Sequence, residues 1–240
     1  MREFDYIIVG GGAAGCVLAE KLTACGRHQV LLLEAGPSDR RFWVQVPIGY
    51  GILFHQKAIN WMYSSDPVPG LDGRVIYHPR GKVLGGSGSI NALVYHHGQA
   101  GDYDDWAAAG NDGWSYADVA PHFEQLEMPP QDDPRAPHLS VTDNSADFHP
   151  MGSDFLEICR QGQLPVCDAP AREGIGITPY LTTTRDGQRC SSAKAFLRPA
   201  MRRRNLKVVT GAHVLSLIHI SEPTRPERSA DGGVWVKKRR

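Results

Sequence analysis

The first 34 residues constrain this chain more than any other stretch, because they spell out a strand, a glycine turn, a helix and a second strand in immediate succession. Asp5-Tyr6-Ile7-Ile8-Val9 is a short apolar run ending at Gly10, the pattern of a parallel strand buried on both faces. Gly10-Gly11-Gly12-Ala13-Ala14-Gly15 follows as Gly-x-Gly-x-x-Gly, after which Ala14, Leu18 and Leu22 recur at helical spacing with Val17 beside them. Gly26 marks the helix stop, and Val30-Leu31-Leu32-Leu33 makes a second strand ending in Glu34. Each part has a chemical reason. Gly10 permits a tight turn, Gly12 lets a pyrophosphate approach the backbone, and Gly15 allows helix and strand to pack closely. The helix start offers unpaired N–H groups to phosphate oxygens. Glu34 stands roughly 20 residues beyond the glycines, where a carboxylate accepts ribose hydroxyls and disfavours a 2′-phosphate. The unit alone leaves NAD and FAD both open, since each carries adenosine diphosphate.

A second glycine run, Arg80-Gly81-Lys82-Val83-Leu84-Gly85-Gly86-Ser87-Gly88-Ser89-Ile90-Asn91, is flanked by apolar residues on both sides. Glycine lets bare backbone hug a ligand. Arg80, Lys82 and the serine hydroxyls bring charge and donors to the same place.

The rest of the composition narrows the class. With 26 basic and 26 acidic residues the net charge is zero, and nothing predicts the concentrated basic face that nucleic acid or an acidic membrane requires. Five cysteines without Cys-x-x-Cys spacing argue against a disulfide framework or a zinc site, so no metal is expected and a reducing cytoplasm fits. No apolar run reaches the length of a bilayer span.

Together the two glycine runs resemble the glucose-methanol-choline (GMC) flavin oxidoreductase family, in particular its choline dehydrogenase-like and alcohol dehydrogenase-like bacterial members. Val46-Pro47-Ile48-Gly49-Tyr50, Asn60-Trp61-Met62-Tyr63 and Gly110-Asn111-Asp112-Gly113-Trp114-Ser115 carry the resemblance further. So do Arg185-Asp186-Gly187-Gln188-Arg189-Cys190-Ser191-Ser192-Ala193 and the run from Asn205 to Ala212, and the likeness extends over residues 4–214 as the N-terminal part of such a protein. It implies an α/β fold, a Rossmann-like FAD-binding domain with part of an α+β substrate domain. It also resolves the open cofactor choice to FAD.

The resemblance assigns Gly10, Gly12, Ala13, Ala14 and Gly15 to the FAD pyrophosphate and Glu34 with Ala35 to the ribose. Arg80, Gly81, Val83, Gly86 and Ser87 line the flavin and its phosphates. Asn91, Ala92, Leu93 and Val94 lie under the isoalloxazine ring, and the Val214 backbone meets the adenine. Some relatives attach FAD through a histidine where this chain has Ile90, so non-covalent FAD is expected. Two departures stand out: Gly88 replaces a usual serine, and His96-His97 replaces an apolar residue and an arginine. Both histidines are expected to be exposed or locally satisfied. The implied activity is oxidation of a small alcohol by hydride transfer to flavin N5, with the electron acceptor open. The family's base histidine lies near the C-terminus of its full-length members. No histidine here matches that motif, so no catalytic residue is assigned and the chain is expected to be inactive as it stands. The alternatives are a hydroxynitrile lyase-like enzyme on the same fold and a non-catalytic FAD-binding module.

Elsewhere, Ser115 followed by Asp118 predicts a capped helix with Val119, Phe123 and Leu126 on one face. A helix is expected over 153–164, a strand over 175–184, a turn at Asp186-Gly187, and a helix from Ser191 or Ser192 to Met201 limited by Pro199. Residues 206–210 read as a strand beside the second one. The expected organisation is an FAD-binding domain from 1–35, 76–127 and 191–214, and lid and substrate-domain segments from 36–75 and 128–190. From Leu215 to Arg225 the sequence is identical to the translation of a transposase adapter used in short-read library preparation, which sets 215–240 apart as a foreign tail.

Overall fold

The strand Val30-Leu31-Leu32-Leu33-Glu34 has side chains that tolerate burial on both faces, and it forms the centre of a parallel sheet. β1 (Tyr6–Val9), β2 (Val30–Glu34) and the strand Leu206–Thr210 lie in the order β1, β2, 206–210. Tyr6 pairs with Val30 through Val9 with Leu33, and Val30 with Leu206 through Glu34 with Thr210. The structure is a computed structural model that describes residues 3–147, 149–167, 174–217 and 236–238.

Two expectations for the first unit need correction. β1 is not buried on both faces: Tyr6, Ile7 and Val9 are 43%, 59% and 47% exposed, and only Ile8 of this strand is buried. Among the described residues β1 has one strand neighbour and is a sheet edge. α1 (Ala13–Ala24) forms as expected and stops at Gly26, whose φ is +72°. Its buried face, however, is Gly15, Cys16, Ala19, Glu20 and Thr23, while Ala14 and Leu18 are exposed. Close packing selects the small residues: a Cβ on Gly15 would lie 2.0 Å from the Gly10 carbonyl oxygen. The other end of α1 is held by Arg203, which donates to the Glu20 carboxylate at 3.0 Å and to Thr23 Oγ1 at 2.9 Å.

The chain divides into two compact units, Met1–Ala92 with Ser191–Arg240, and Leu93–Cys190. Residues 36–75 thus group with the parallel sheet, and 93–127 group with 128–190. The first unit has a second core of Val44, Leu53, Ile59, Val83 and Ile90. The segment after Cys190 forms a π-helical turn, Ala193–Leu197, and then Arg198–Ala200, in place of one regular helix. Pro199 has no N–H to continue an α-helical ladder. Residues 215–240 lie mostly outside the described residues; the Val236–Lys238 backbone pairs antiparallel with Ala212–Val214.

The second unit contains helices Ala100–Ala108, Tyr116–Glu127 and Pro150–Gln161, the last beginning three residues earlier than its sequence pattern suggests. The expected strand over 175–184 is reduced to Leu181–Thr182, paired with Val94–Tyr95, and Thr184–Arg185, paired with Gln188–Arg189. The turn between the last two strands is at Asp186-Gly187, with φ of +52° and +69°. Among the described residues, no helix is long and apolar enough to cross a membrane.

Candidate functional site

The site begins where β1 turns into α1. Gly10 N donates to the Leu33 carbonyl at 2.8 Å, which anchors the turn to β2. Gly12 caps α1 with extended backbone, no side chain bonds to the helix start, and its first turn has no acidic residue. The first amides of a helix have no intrahelical acceptor. They therefore remain available to an anion, and no carboxylate competes from the first turn.

Glu34 is 6% exposed and sits across this turn. One carboxylate oxygen accepts from Gly11 N and the other from Gly36 N, each at 2.7 Å. The acid expected to meet a ribose is thus also the strut that joins the glycine turn to the chain beyond β2. Its oxygens retain acceptor capacity beyond these two bonds.

The second glycine run locks onto the first. Gly85 N donates to the Gly11 carbonyl at 2.6 Å, and a Cβ on Gly86, whose φ is +57°, would lie 2.8 Å from Gly12 Cα. Only a backbone without side chains permits this approach. Ser87 Oγ accepts from Gly81 N at 3.0 Å, and Ser89 Oγ donates to the Leu84 carbonyl at 2.7 Å. Arg80 is exposed, and Lys82 Nζ lies 4.7 Å from the Trp61 ring centre. Gly88 has open space where a Cβ would be, so the usual serine would fit without rearrangement.

The structure brings Gly10, Gly12, Ala13, Ala14, Gly15, Glu34, Gly81, Gly86 and Ser87 into one interlocked pair of loops. Val83 is fully buried in the second core, so its side chain is packing and only its backbone can face a ligand. Asn91 and Ala92 are exposed at the end of the first unit. Leu93 and Val94 begin the second unit, the former 3% and the latter 54% exposed. Ile90 is 1% exposed in the same core as Val83. The histidine pair is locally satisfied. His96 Nδ1 accepts from Gly98 N, while His97 pairs with Glu127 at 2.6 Å and stacks on Phe123.

Several supports carry no sequence signal of their own. Pro37 O accepts from Leu84 N and Gly36 O from Gly211 N, so the stretch after β2 joins both glycine runs to the third strand. Asp39, 2% exposed, pairs with Arg198 at 2.7 Å across 159 positions of sequence. Burial raises the Asp39 carboxyl above its ordinary range, and the Arg198 charge opposes the rise. Cys16 donates to the Gly11 carbonyl at 3.3 Å, and burial pushes its thiol up to about 12. It is neutral packing under the turn. This set of uncapped amides and interlocked glycine backbone fits a dinucleotide diphosphate.

The profile of the family described as GMC oxidoreductase matches residues 4–235. The chain is 41% identical over 216 residues to an oxygen-dependent choline dehydrogenase of Photobacterium profundum, covering 87% of this chain and 38% of the relative. It is 36% identical over 243 residues to an alcohol dehydrogenase [acceptor] of Pseudomonas putida, covering 98% of this chain and 42% of that protein. The fold superposes on an FAD-dependent oxidoreductase from Chaetomium thermophilum with a TM-score of 0.74 at 28% identity, over 86% of this chain and 38% of that one. The chain spans about two fifths of the length of the curated relatives it matches.

Proposed function

The chain belongs to the GMC oxidoreductase family, and from that membership we propose that it is the FAD cradle of an enzyme that oxidises the CH–OH group of a small alcohol, choline or a related primary alcohol. The observation that carries this reading is the lock between the two glycine runs at the uncapped start of α1. The amides of Gly12, Ala13, Ala14 and Gly15 hold the FAD pyrophosphate at the positive end of the helix. Glu34, with Ala35, takes the ribose while its bonds to Gly11 and Gly36 hold the turn in shape. Arg80 balances phosphate charge, and the Gly81, Val83 and Gly86 backbone and Ser87 line the flavin side. Asn91 through Val94 support the ring, and the Val214 backbone meets the adenine. FAD supplies the acceptor for hydride from the carbinol carbon. Binding is non-covalent, because Ile90 is a hydrocarbon side chain buried in the core.

In this reading 1–35, 76–127 and 191–214 hold FAD and 36–75 with 128–190 form lid and substrate-domain segments of a cytoplasmic protein. Residues 215–240 are foreign to it. No residue of this chain takes the alcohol proton. The test is titration of the 240-residue chain with FAD, followed by visible circular dichroism and by flavin fluorescence after acid precipitation. The expected result is induced flavin ellipticity, no equivalent signal with FMN, and all FAD released to the supernatant. Absence of the signal overturns the cradle, and flavin in the pellet overturns non-covalent binding. Anaerobic choline should leave the bound flavin yellow; bleaching would mean that this chain contains a base after all.

A further inference from the structure

Residues 59–65 and 76–82 run antiparallel in one register: Ser64 faces Tyr77, Tyr63 faces His78 and Asn60 faces Gly81. In such a ladder a hydrogen-bonded pair exchanges both of its N–H···O bonds. Trp61 and Arg80 depart from this pattern. Trp61 N donates to the Arg80 carbonyl at 2.9 Å, but Arg80 N donates to the Asn60 side chain, whose Oδ1 accepts at 3.0 Å. The same oxygen accepts from Met62 N at 2.9 Å. The N–H and C=O of a trans peptide point in opposite directions. The Trp61 carbonyl, in one peptide with the Met62 N–H, is therefore turned away from Arg80. Met62 takes up the turn with a φ of +55°, a left-handed conformation that residues with a Cβ rarely adopt.

Asn60 holds this flipped peptide. It is 2% exposed, and its amide makes all four of the bonds open to it. Nδ2 donates to the Phe54 carbonyl at 2.8 Å and to the Tyr77 hydroxyl at 3.0 Å, and Tyr77 donates in turn to the Phe54 carbonyl. These donated bonds orient the amide, so that its oxygen meets the Met62 and Arg80 N–H groups. Aspartate lacks the two donors, and leucine offers neither donor nor acceptor. Arg80 is exposed beside this anchor, and its Nη1 donates to the Pro79 carbonyl at 2.8 Å, which leaves further guanidinium donors for an anion. Strained backbone fixed by a fully bonded buried side chain is characteristic of binding sites.

We propose that Asn60 is the positioning residue for Arg80: by replacing the Trp61 carbonyl as acceptor, it fixes the backbone from which the Arg80 guanidinium reaches the FAD phosphates. This rests on the FAD cradle proposed above. Asn60 itself touches no cofactor, and its effect on binding passes through Arg80.

The test is a double-mutant cycle on the full chain, with FAD affinity read from induced flavin ellipticity. Arg80→Ala should weaken FAD binding by about tenfold and Asn60→Ala by about tenfold. The double variant should lose about tenfold, not about a hundredfold, because the two changes remove one interaction. Amide exchange without FAD reads the flipped peptide separately: the Met62 and Arg80 amides should exchange slowly in the parent and fast in Asn60→Ala. If Asn60→Ala fails to fold, Tyr77→Phe, which removes one acceptor of Nδ2, should weaken FAD binding by about threefold in the parent and not at all in Arg80→Ala. Losses that multiply, parent-like affinity in either single variant, or unchanged exchange at both amides overturns the proposal. A parent without ellipticity whose two amides are protected overturns the cradle and leaves the peptide anchor standing.

Discussion

A methyl added at Gly36 would lie 1.8 Å from the Lys82 carbonyl oxygen, whereas one added at Gly101 would meet no atom within 4 Å. The contrast reflects how each unit is held. The first unit is fixed by backbone against backbone, with Gly85 N bonded to the Gly11 carbonyl and with Gly11 N and Gly36 N both bonded to the Glu34 carboxylate. In the second, helices Ala100–Ala108 and Tyr116–Glu127 bury none of their residues and each is closed by its own capping box. A diphosphate site needs amides at fixed positions, which interlocking supplies.

The sharpest way to break this comparison is Gly36→Ala. Its Cβ meets the main chain of the Lys82–Val83 peptide, so the strain cannot be relieved by one side chain moving. The expected loss is about 3 kcal/mol, read as a lowered urea midpoint, together with loss of FAD-induced ellipticity. A variant as stable as the parent would mean that the chain after β2 is not packed hard against the second glycine run. Glu34→Gln comes next, with an expected loss of about 2 kcal/mol. An amide can accept only through its oxygen, and its NH2 would face either the Gly11 or the Gly36 amide. Faster hydrogen exchange at just one of these two amides would identify the orphaned side.

Much of this lock was readable in the sequence, for a physical reason. Parallel strands and close backbone approaches demand particular residues, so the strands at 30–34 and 206–210, the glycine turn and the Gly26 stop are all local patterns. The turn at Asp186-Gly187 and the Ser115 cap are local in the same sense. What the pattern misplaced was burial. Leu18 lies on an apolar stripe yet faces outward, because α1 packs through Gly15, Cys16 and Ala19. β1 reads as a buried strand, but its exposure depends on which neighbours it has, and no run of five residues encodes that. The Asp39–Arg198 pair joins positions 159 residues apart and was invisible for the same reason. Glu34 shows the intermediate case. Its candidacy as a ribose acceptor was legible from spacing, but its bonds to Gly11 and Gly36 required knowing how tightly the turn closes.

The locally held unit should respond to local changes, and by smaller amounts. Ser115→Ala removes the hydroxyl that accepts from Asp118 N at 3.3 Å, and with it half of the capping box of Tyr116–Glu127. The expected loss is about 1 kcal/mol, seen as faster amide exchange in the first turn of that helix with the 206–210 strand unaffected.

Gly101→Ala should carry the opposite sign. Gly101 occupies the first turn of helix Ala100–Ala108, without a positive φ and with open space where the Cβ would go. Alanine restricts the unfolded chain and favours the helix, so a gain of about 0.5 kcal/mol is expected. The position is near the helix start, where propensity counts for less than in the middle. The gain should appear as slower amide exchange along Ala100–Ala108. A loss of stability as large as that of Gly36→Ala would show that the helical unit is packed as tightly as the glycine lock, and the distinction between the two units would fail.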